Sequence, residues 1–280
     1  MPVIPFHDEN PIQRTPFVTV AIIVINVIAL VYVQGMDDFN QRRFVAEHGF
    51  VPARLNQLNN PNLIRVPIYS QGELAQGVFL PPDQKPFVDL KPKQSEIIQS
   101  ILTSLFLHAG WMHLISNMWF FWIFGNNIED RLGHFVFLLY YLLGGVVACI
   151  SHWAMMNVGG NLIPVIGASG AVAVTLGSYA VTYPFARVKT LIFLFIFITV
   201  VELPALVILG FWFLMQVANG AHVINMNIGG GVAWWAHIGG FAAGAILMPF
   251  LAAGSPEPGR NWQIEAKEQF DYEIPPRDYS

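Results

Sequence analysis

Apolar residues run along this chain in long blocks separated by short polar joints. A bilayer-spanning helix needs roughly 20 such residues, with a tolerated range of about 17–25. Six stretches read as spans: 17–33, 111–124 extended by the less apolar 125–133, 135–156, 168–183, 203–217 and 234–251. The run 191–201 is apolar too. Glu202 and Pro204 interrupt it, so it reads as an interfacial or re-entrant lead-in to the fifth span. Between spans one and two, Pro and Asn recur over 56–92, which predicts irregular structure rather than a packed domain. The tail from Ser255 is polar and acidic with several prolines, and is expected to be mostly disordered. The expected organisation is an N-terminal segment 1–15, a membrane domain 16–253 with a long loop 35–98, and a tail 254–280.

Composition strengthens the membrane reading. Of 280 residues, 54% are hydrophobic and 11% charged, where soluble domains carry about 25% charged residues. A formal charge of −4 gives no ground for a nucleic-acid partner. The single cysteine, Cys149, permits no internal disulfide, so helix packing must hold the fold. The first apolar run follows Asp8, Glu9 and a lone Arg14 and lacks a small-residue cleavage site, so it reads as a span and not as a cleavable signal.

Charge also orients the spans. Between residues 100 and 253 the Lys and Arg are Arg131, Arg187 and Lys189, in the joints after spans two and four. Positive joints stay cytoplasmic, so both termini are expected inside and loop 35–98 outside. The mixed charges of that loop do not overturn this, because long loops are largely exempt from the rule.

Spans two, four and six then start at the external face. Near those starts lie His113 and Asn117, Ser169 within Gly167-Ala168-Ser169-Gly170, and His237. A rise of about 1.5 Å per residue keeps all of them within one to two turns of the outer boundary. Each has an ordinary reading: Ser169 as a helix-packing residue, His237 as a satisfied interhelical donor, His113 and Asn117 as glue on one helix face. Together they are the parts of acyl transfer: nucleophile, base and donors for an oxyanion. Ser169, Ala173 and Gly177 form one small-residue face and His237, Gly240 and Gly244 another, which lets helices four and six touch closely. Trp234 and Trp235 would sit in the outer aromatic belt. Cys149 and His152 read as packing and His222 as a solvated loop residue. His108 reads as interfacial, with a place at the external mouth as the alternative.

These motifs resemble the rhomboid intramembrane serine proteases. The resemblance rests on SLFLHAGWMHLISNMWF (104–120), FGNNIEDRLG (124–133), GASGAVAVTLG (167–177), AHIGGFAAG (236–244) and the earlier GFVPARL (49–55). It implies an all-α, six-helix polytopic membrane bundle. It implies Ser169 as nucleophile, His237 as general base without an Asp, and His113 and Asn117 on the oxyanion side. It also implies a fifth helix and a 219–232 loop that gate substrate entry, and membrane-protein substrates cut near the external face. Two departures stand out. Ala173 follows the serine by one turn, where many relatives carry an aromatic that supports the histidine. Loop 35–98 holds a polar insert around 56–94. Another ring is expected to fill the space beside Ala173, with Trp234, Trp235 and Phe241 the candidates near His237 in sequence.

Neither a metal-ligand set nor a nucleotide loop is visible, so no cofactor is expected. The rival reading is a rhomboid-like pseudoprotease that holds membrane clients without cutting; Ala173 is its mild support. A channel or transporter would want a chain of intramembrane acids and bases, which the spans lack. The short tails point to a bacterial plasma membrane.

Overall fold

The computed structural model of the protein describes residues 3–68, 86–156, 162–194, 197–226 and 232–253. Strand β1 (Val3–Asp8) precedes helix α1 (Phe17–Gln34). Helix α2 (Asp38–His48) starts on Asp37, whose side chain accepts the Asn40 N–H as an N-cap. A 3-10 turn (Pro52–Leu58) leads to strands β2 (Ile64–Pro67) and β3 (Phe87–Leu90). Then come α3 (Gln94–Thr103), α4 (Trp111–Leu132), α5 (His134–Met156) and α6 (Ser169–Thr182). Strands β4 (Arg187–Leu194) and β5 (Phe197–Pro204) lead into α7 (Ala205–Met226), and α8 (Trp234–Leu251) closes the described fold.

Four helices are each long and apolar enough to cross a membrane: α1, His134–Met155 of α5, Ala205–His222 of α7, and α8. Helix α4 joins them only together with Gln94–Phe106, from which it is bent by 81°. Its last turns carry Asn126, Asn127, Glu129, Asp130 and Arg131, which lower its hydropathy. The chain is thus a mostly helical, multi-span membrane protein with four to five candidate spans where six were expected. The shortfall centres on α6. At 14 residues it rises about 21 Å, against a hydrocarbon core of about 30 Å. Every residue of α6 from Gly170 to Ala180 is buried, because α4, α5, α7 and α8 all pack on it. A helix walled in on all sides has no lipid face to fill with long apolar side chains, and glycine, alanine and serine suit it instead.

Three expectations from the sequence are corrected. The apolar run 191–201 is not a re-entrant lead-in. Its described residues lie in the antiparallel strands β4 and β5, and β1 pairs on the other edge of β4, giving the order β1-β4-β5. Val, Ile, Thr and Phe favour extended backbone, and the register sets Lys189 opposite Glu202. The flanks of the 56–94 insert are not irregular: β2 and β3 pair antiparallel, and Val66, Ile68, Val88 and Leu90 pack with Ala46, Val51 and Ala53 in a small core. The segment 219–232 is not all loop, since α7 stays helical to Met226; His222 is an exposed residue of that helix. The expected disorder of 254–280 falls outside the described residues.

Polar contacts tie the elements together at the end of the bundle away from the serine. The Glu129 carboxylate on α4 accepts from the first N–H groups of α1, at Val18 (2.8 Å) and Thr19 (2.7 Å), and from the Thr19 hydroxyl (2.7 Å). A carboxylate at a helix N-terminus satisfies orphan donors and the dipole together. Asp8 of β1 accepts from Asn127 Nδ2 on α4 and Tyr179 Oη on α6, each at 2.8 Å. Trp119 Nε1 on α4 donates to the Pro5 carbonyl at 2.7 Å, which lays β1 along that helix.

Candidate active site

The stretch before α6 is pinned on three sides. Phe50 and Val165 exchange both backbone hydrogen bonds (3.0 and 2.7 Å). The Gly167 N–H donates to the Ser104 carbonyl (2.9 Å), and the Ala168 N–H to His108 Nε2 (3.4 Å). Gly167 then turns with φ +123°, a left-handed conformation that side chains rarely adopt. A β-carbon there would also fall 2.8 Å from His113 Nε2, 2.9 Å from its Cε1 and 3.7 Å from Asn117 Nδ2. The turn therefore serves two ends: it starts α6 at Ser169, and it lets His113 and Asn117 crowd against the backbone two residues earlier.

Ser169 and His237 meet directly. Ser169 Oγ lies 2.7 Å from His237 Nε2. The close packing of α6 and α8 allows this. The Gly240 α-carbon sits where a β-carbon would be 2.4 Å from the Gly170 carbonyl oxygen. At Gly177 the same distance to the Phe241 oxygen is 2.0 Å, and at Gly244 to the Val174 oxygen it is 2.0 Å. Gly170 packs on α5, where a β-carbon would be 2.7 Å from Ala148 Cβ. Ala173 is fully buried in the α6–α8 seam, 3.3 Å from where a Gly240 β-carbon would stand.

His113 and Asn117 stand on one face of α4. Asn117 Nδ2 donates to the His113 carbonyl (3.0 Å). The Ala109 N–H points to His113 Nδ1 at 3.4 Å. A ring that accepts at Nδ1 carries its neutral-form proton on Nε2, and Nε2 is the atom turned toward Gly167. His108 packs edge-on against His113, with ring centres 5.0 Å apart. It is buried, with Nε2 accepting from the Ala168 N–H. Cys149 and His152 are buried on α5.

Two residues at the site went unnoticed in the sequence. Gln216 of α7 sets its Oε1 2.8 Å from His237 Nδ1, and Trp212, one turn earlier, lies 5.8 Å from the His237 ring at a 33° tilt. Trp234 meets the imidazole edge-on at 6.2 Å. The expected extra ring beside His237 is thus Trp234 together with Trp212. Phe241 stacks on Phe213 (4.6 Å) instead. The signal for Gln216 was present: a lone amide within the apolar run 205–217.

A bundle of apolar helices with a serine at the N-terminus of a buried helix, an imidazole on that serine, and amide and imidazole donors beside the preceding turn has the layout of a membrane-embedded acyl-transfer site. The Rhomboid domain model matches residues 95–254, and the chain belongs to the rhomboid family. Among known proteins, presenilin-associated rhomboid-like protein A, mitochondrial, of Danio rerio is 30% identical over 103 residues, which are 37% of this chain and 27% of that protein. Rhomboid-like protein 11, chloroplastic, of Arabidopsis thaliana is 44% identical over 71 residues, 25% of this chain and 24% of its own. The mouse presenilin-associated rhomboid-like protein, mitochondrial, is 30% identical over 106 residues, 38% and 28% respectively. The chain spans about a quarter of the length of these relatives.

Proposed function

We propose that this protein is an intramembrane serine endopeptidase that cleaves transmembrane-helix substrates near the external membrane face. The observation that carries this reading is the 2.7 Å contact between Ser169 Oγ and His237 Nε2. Serine is a weak nucleophile at neutral pH and needs an adjacent base. His237 takes the hydroxyl proton as Ser169 Oγ attacks the scissile carbonyl carbon. The carbonyl oxygen becomes an oxyanion that faces the Ser169 N–H at the start of α6, Asn117 Nδ2 and His113 Nε2. Such donors commonly contribute about 10²–10³ in turnover each. The imidazolium returns its proton to the leaving amine, and the C–N bond breaks. A water, deprotonated by His237, then attacks the acyl-enzyme and releases the new carboxylate and Ser169.

Substrates must open their backbone to fit, because a helix in lipid has its hydrogen bonds closed. Helices weakened by glycine near their outer end are the favoured class. We read the domain as six membrane helices (α1, α4 with its bent lead-in, α5, the short enclosed α6, α7 and α8), with the substrate entering beside α7. The pairing of β1 with β4 supports the N-terminus and the α6–α7 connection lying on one side, and Arg187 and Lys189 favour the cytoplasmic one. The bacterial plasma membrane gains no support from relatives with organellar names.

In liposomes with a transmembrane substrate, Ser169→Ala and His237→Ala should each abolish product, and a fluorophosphonate probe should label wild type but not Ser169→Ala. Cutting by Ser169→Ala at the wild-type rate would refute the assignment. A folded wild type that neither cuts nor labels would favour the pseudoprotease reading.

A further inference from the structure

His237 is held from two sides, and the second side assigns its protons. Gln216 Nε2 donates to the Trp212 carbonyl one turn earlier on α7, at 3.2 Å. That bond fixes which way the amide faces. Turned over, Gln216 would set its own oxygen against the Trp212 oxygen, two acceptors with no proton between them. So Oε1 is the atom 2.8 Å from His237 Nδ1, and an amide oxygen only accepts. Nδ1 must therefore carry the proton of the neutral ring. Nε2 is then bare and can only accept, and the Ser169 hydroxyl 2.7 Å away must donate to it. The four groups form one directional chain: Ser169 Oγ–H to His237 Nε2, His237 Nδ1–H to Gln216 Oε1, and Gln216 Nε2–H to the Trp212 carbonyl.

The geometry points to Gln216 as a positioning residue that holds His237 in its Nδ1–H tautomer, and so makes competence of the base depend on α7 being packed against α8. Gln216 is buried, so water does not compete for the bond. When the ring takes the Ser169 proton, the same amide oxygen faces a cation without itself being an anion. A buried carboxylate in that place would bring its own desolvation cost. Trp212, on the same face of α7 one turn earlier, touches the same ring. A displacement of α7 away from α8 thus removes the proton-directing acceptor and the aromatic contact together. With neither present, the ring samples both tautomers, and the Nε2–H form cannot accept from serine.

The catalytic arm of the test rests on the protease reading; the spectroscopic arm does not. In the first, Gln216→Leu should lower kcat about 10- to 100-fold, the scale of a lost hydrogen bond to a charged group, with KM unchanged. Gln216→Glu, which keeps an acceptor, should retain more activity than Gln216→Leu. In the second, full-length protein with ¹⁵N-labelled histidine is studied by NMR in micelles, with the His237 signals assigned by their loss in His237→Ala. Wild type should show Nδ1 protonated and Nε2 bare, and Gln216→Leu should show a mixture. An Nε2–H ring in wild type, or a Gln216→Leu variant with wild-type kcat, would overturn the proposal, as would a Gln216→Glu variant no better than leucine. A wild type with the Nδ1–H ring but no cleavage would defeat the protease reading while supporting the positioning role.

Discussion

Gly177→Ala tests whether the helix seam sets the distance between serine and imidazole. The added β-carbon would lie 2.0 Å from the Phe241 carbonyl oxygen, 2.8 Å from its carbon and 3.0 Å from its α-carbon. All three atoms are backbone, so no rotamer change relieves the clash. Relief requires α6 and α8 to part by roughly 1.5 Å, because atoms in contact settle at about 3.5 Å and close-packed interiors have no slack. Overpacking of this kind costs about 1–3 kcal/mol; a rigid obstacle on both sides puts this one toward the upper value. Ser169 lies about two turns along the same helix. Half of the displacement carried to it would stretch the 2.7 Å contact with His237 to about 3.5 Å, beyond the normal hydrogen-bond range. Thermal unfolding in detergent should therefore occur at lower temperature, and fluorophosphonate labelling of Ser169 should slow at least about ten-fold. Gly210→Ala on α7 is the control, since a β-carbon there meets nothing within 4 Å; it should be neutral or stabilising by up to about 1 kcal/mol. A Gly177→Ala protein that unfolds and labels like wild type would refute the seam argument.

Two further outcomes follow from other parts of the bundle. Ala173→Phe should lose both stability, by about 1–3 kcal/mol, and labelling, because Ala173 is fully buried and Trp212 and Trp234 already flank His237; a faster enzyme would show that the space stands open. Asp8→Asn should flatten the pH dependence of thermal unfolding. Burial pushes the Asp8 carboxyl above its ordinary 3.8, so the folded chain holds that proton more tightly than the unfolded one, and wild-type stability falls as pH rises from about 3.8 through the raised value. Parallel curves for wild type and Asp8→Asn would refute it.

The long helices were legible because hydropathy over about 20 residues is a property of the segment itself. The meeting of Ser169 with His237 was legible for a related reason: each heads a face of small residues spaced by helical turns, and small faces pack closely. The β4–β5 pair was not. Residues 187–204 have a span's hydropathy, and what makes them strands is partly β1, whose Asp8 pairs with Val188 far along the chain. Gln216 was missed for a rotational reason. A single amide on α7 means nothing until the angle of α7 against α8 is known; one position either way would aim it at lipid or away from the imidazole. Trp234 was anticipated because it precedes His237 by one turn, whereas Trp212 comes from another helix.

Polar groups toward the two ends of this bundle differ in how much bonding capacity they have left. Glu129 is saturated: Oε1 contacts Val18 N–H and His134 Nδ1, and Oε2 accepts from both Thr19 donors. The Tyr140 hydroxyl is shared between Ser178 Oγ (2.7 Å) and the Gly244 carbonyl (3.3 Å), which ties α5, α6 and α8. Such groups stiffen the frame and have nothing left to offer a substrate. At the other end, among the described residues, His113 Nε2 and Asn117 Oδ1 have no partner, and one Asn117 amide proton remains unused. Both atoms keep some exposure, unlike the sealed and unpartnered Asn26 Oδ1, Tyr141 Oη and His152 Nδ1, so an arriving group can reach them. Both lie against Gly167, two residues from the Ser169 hydroxyl. On the proposed reading, these reachable donors stand beside Ser169 where a negative oxygen would form.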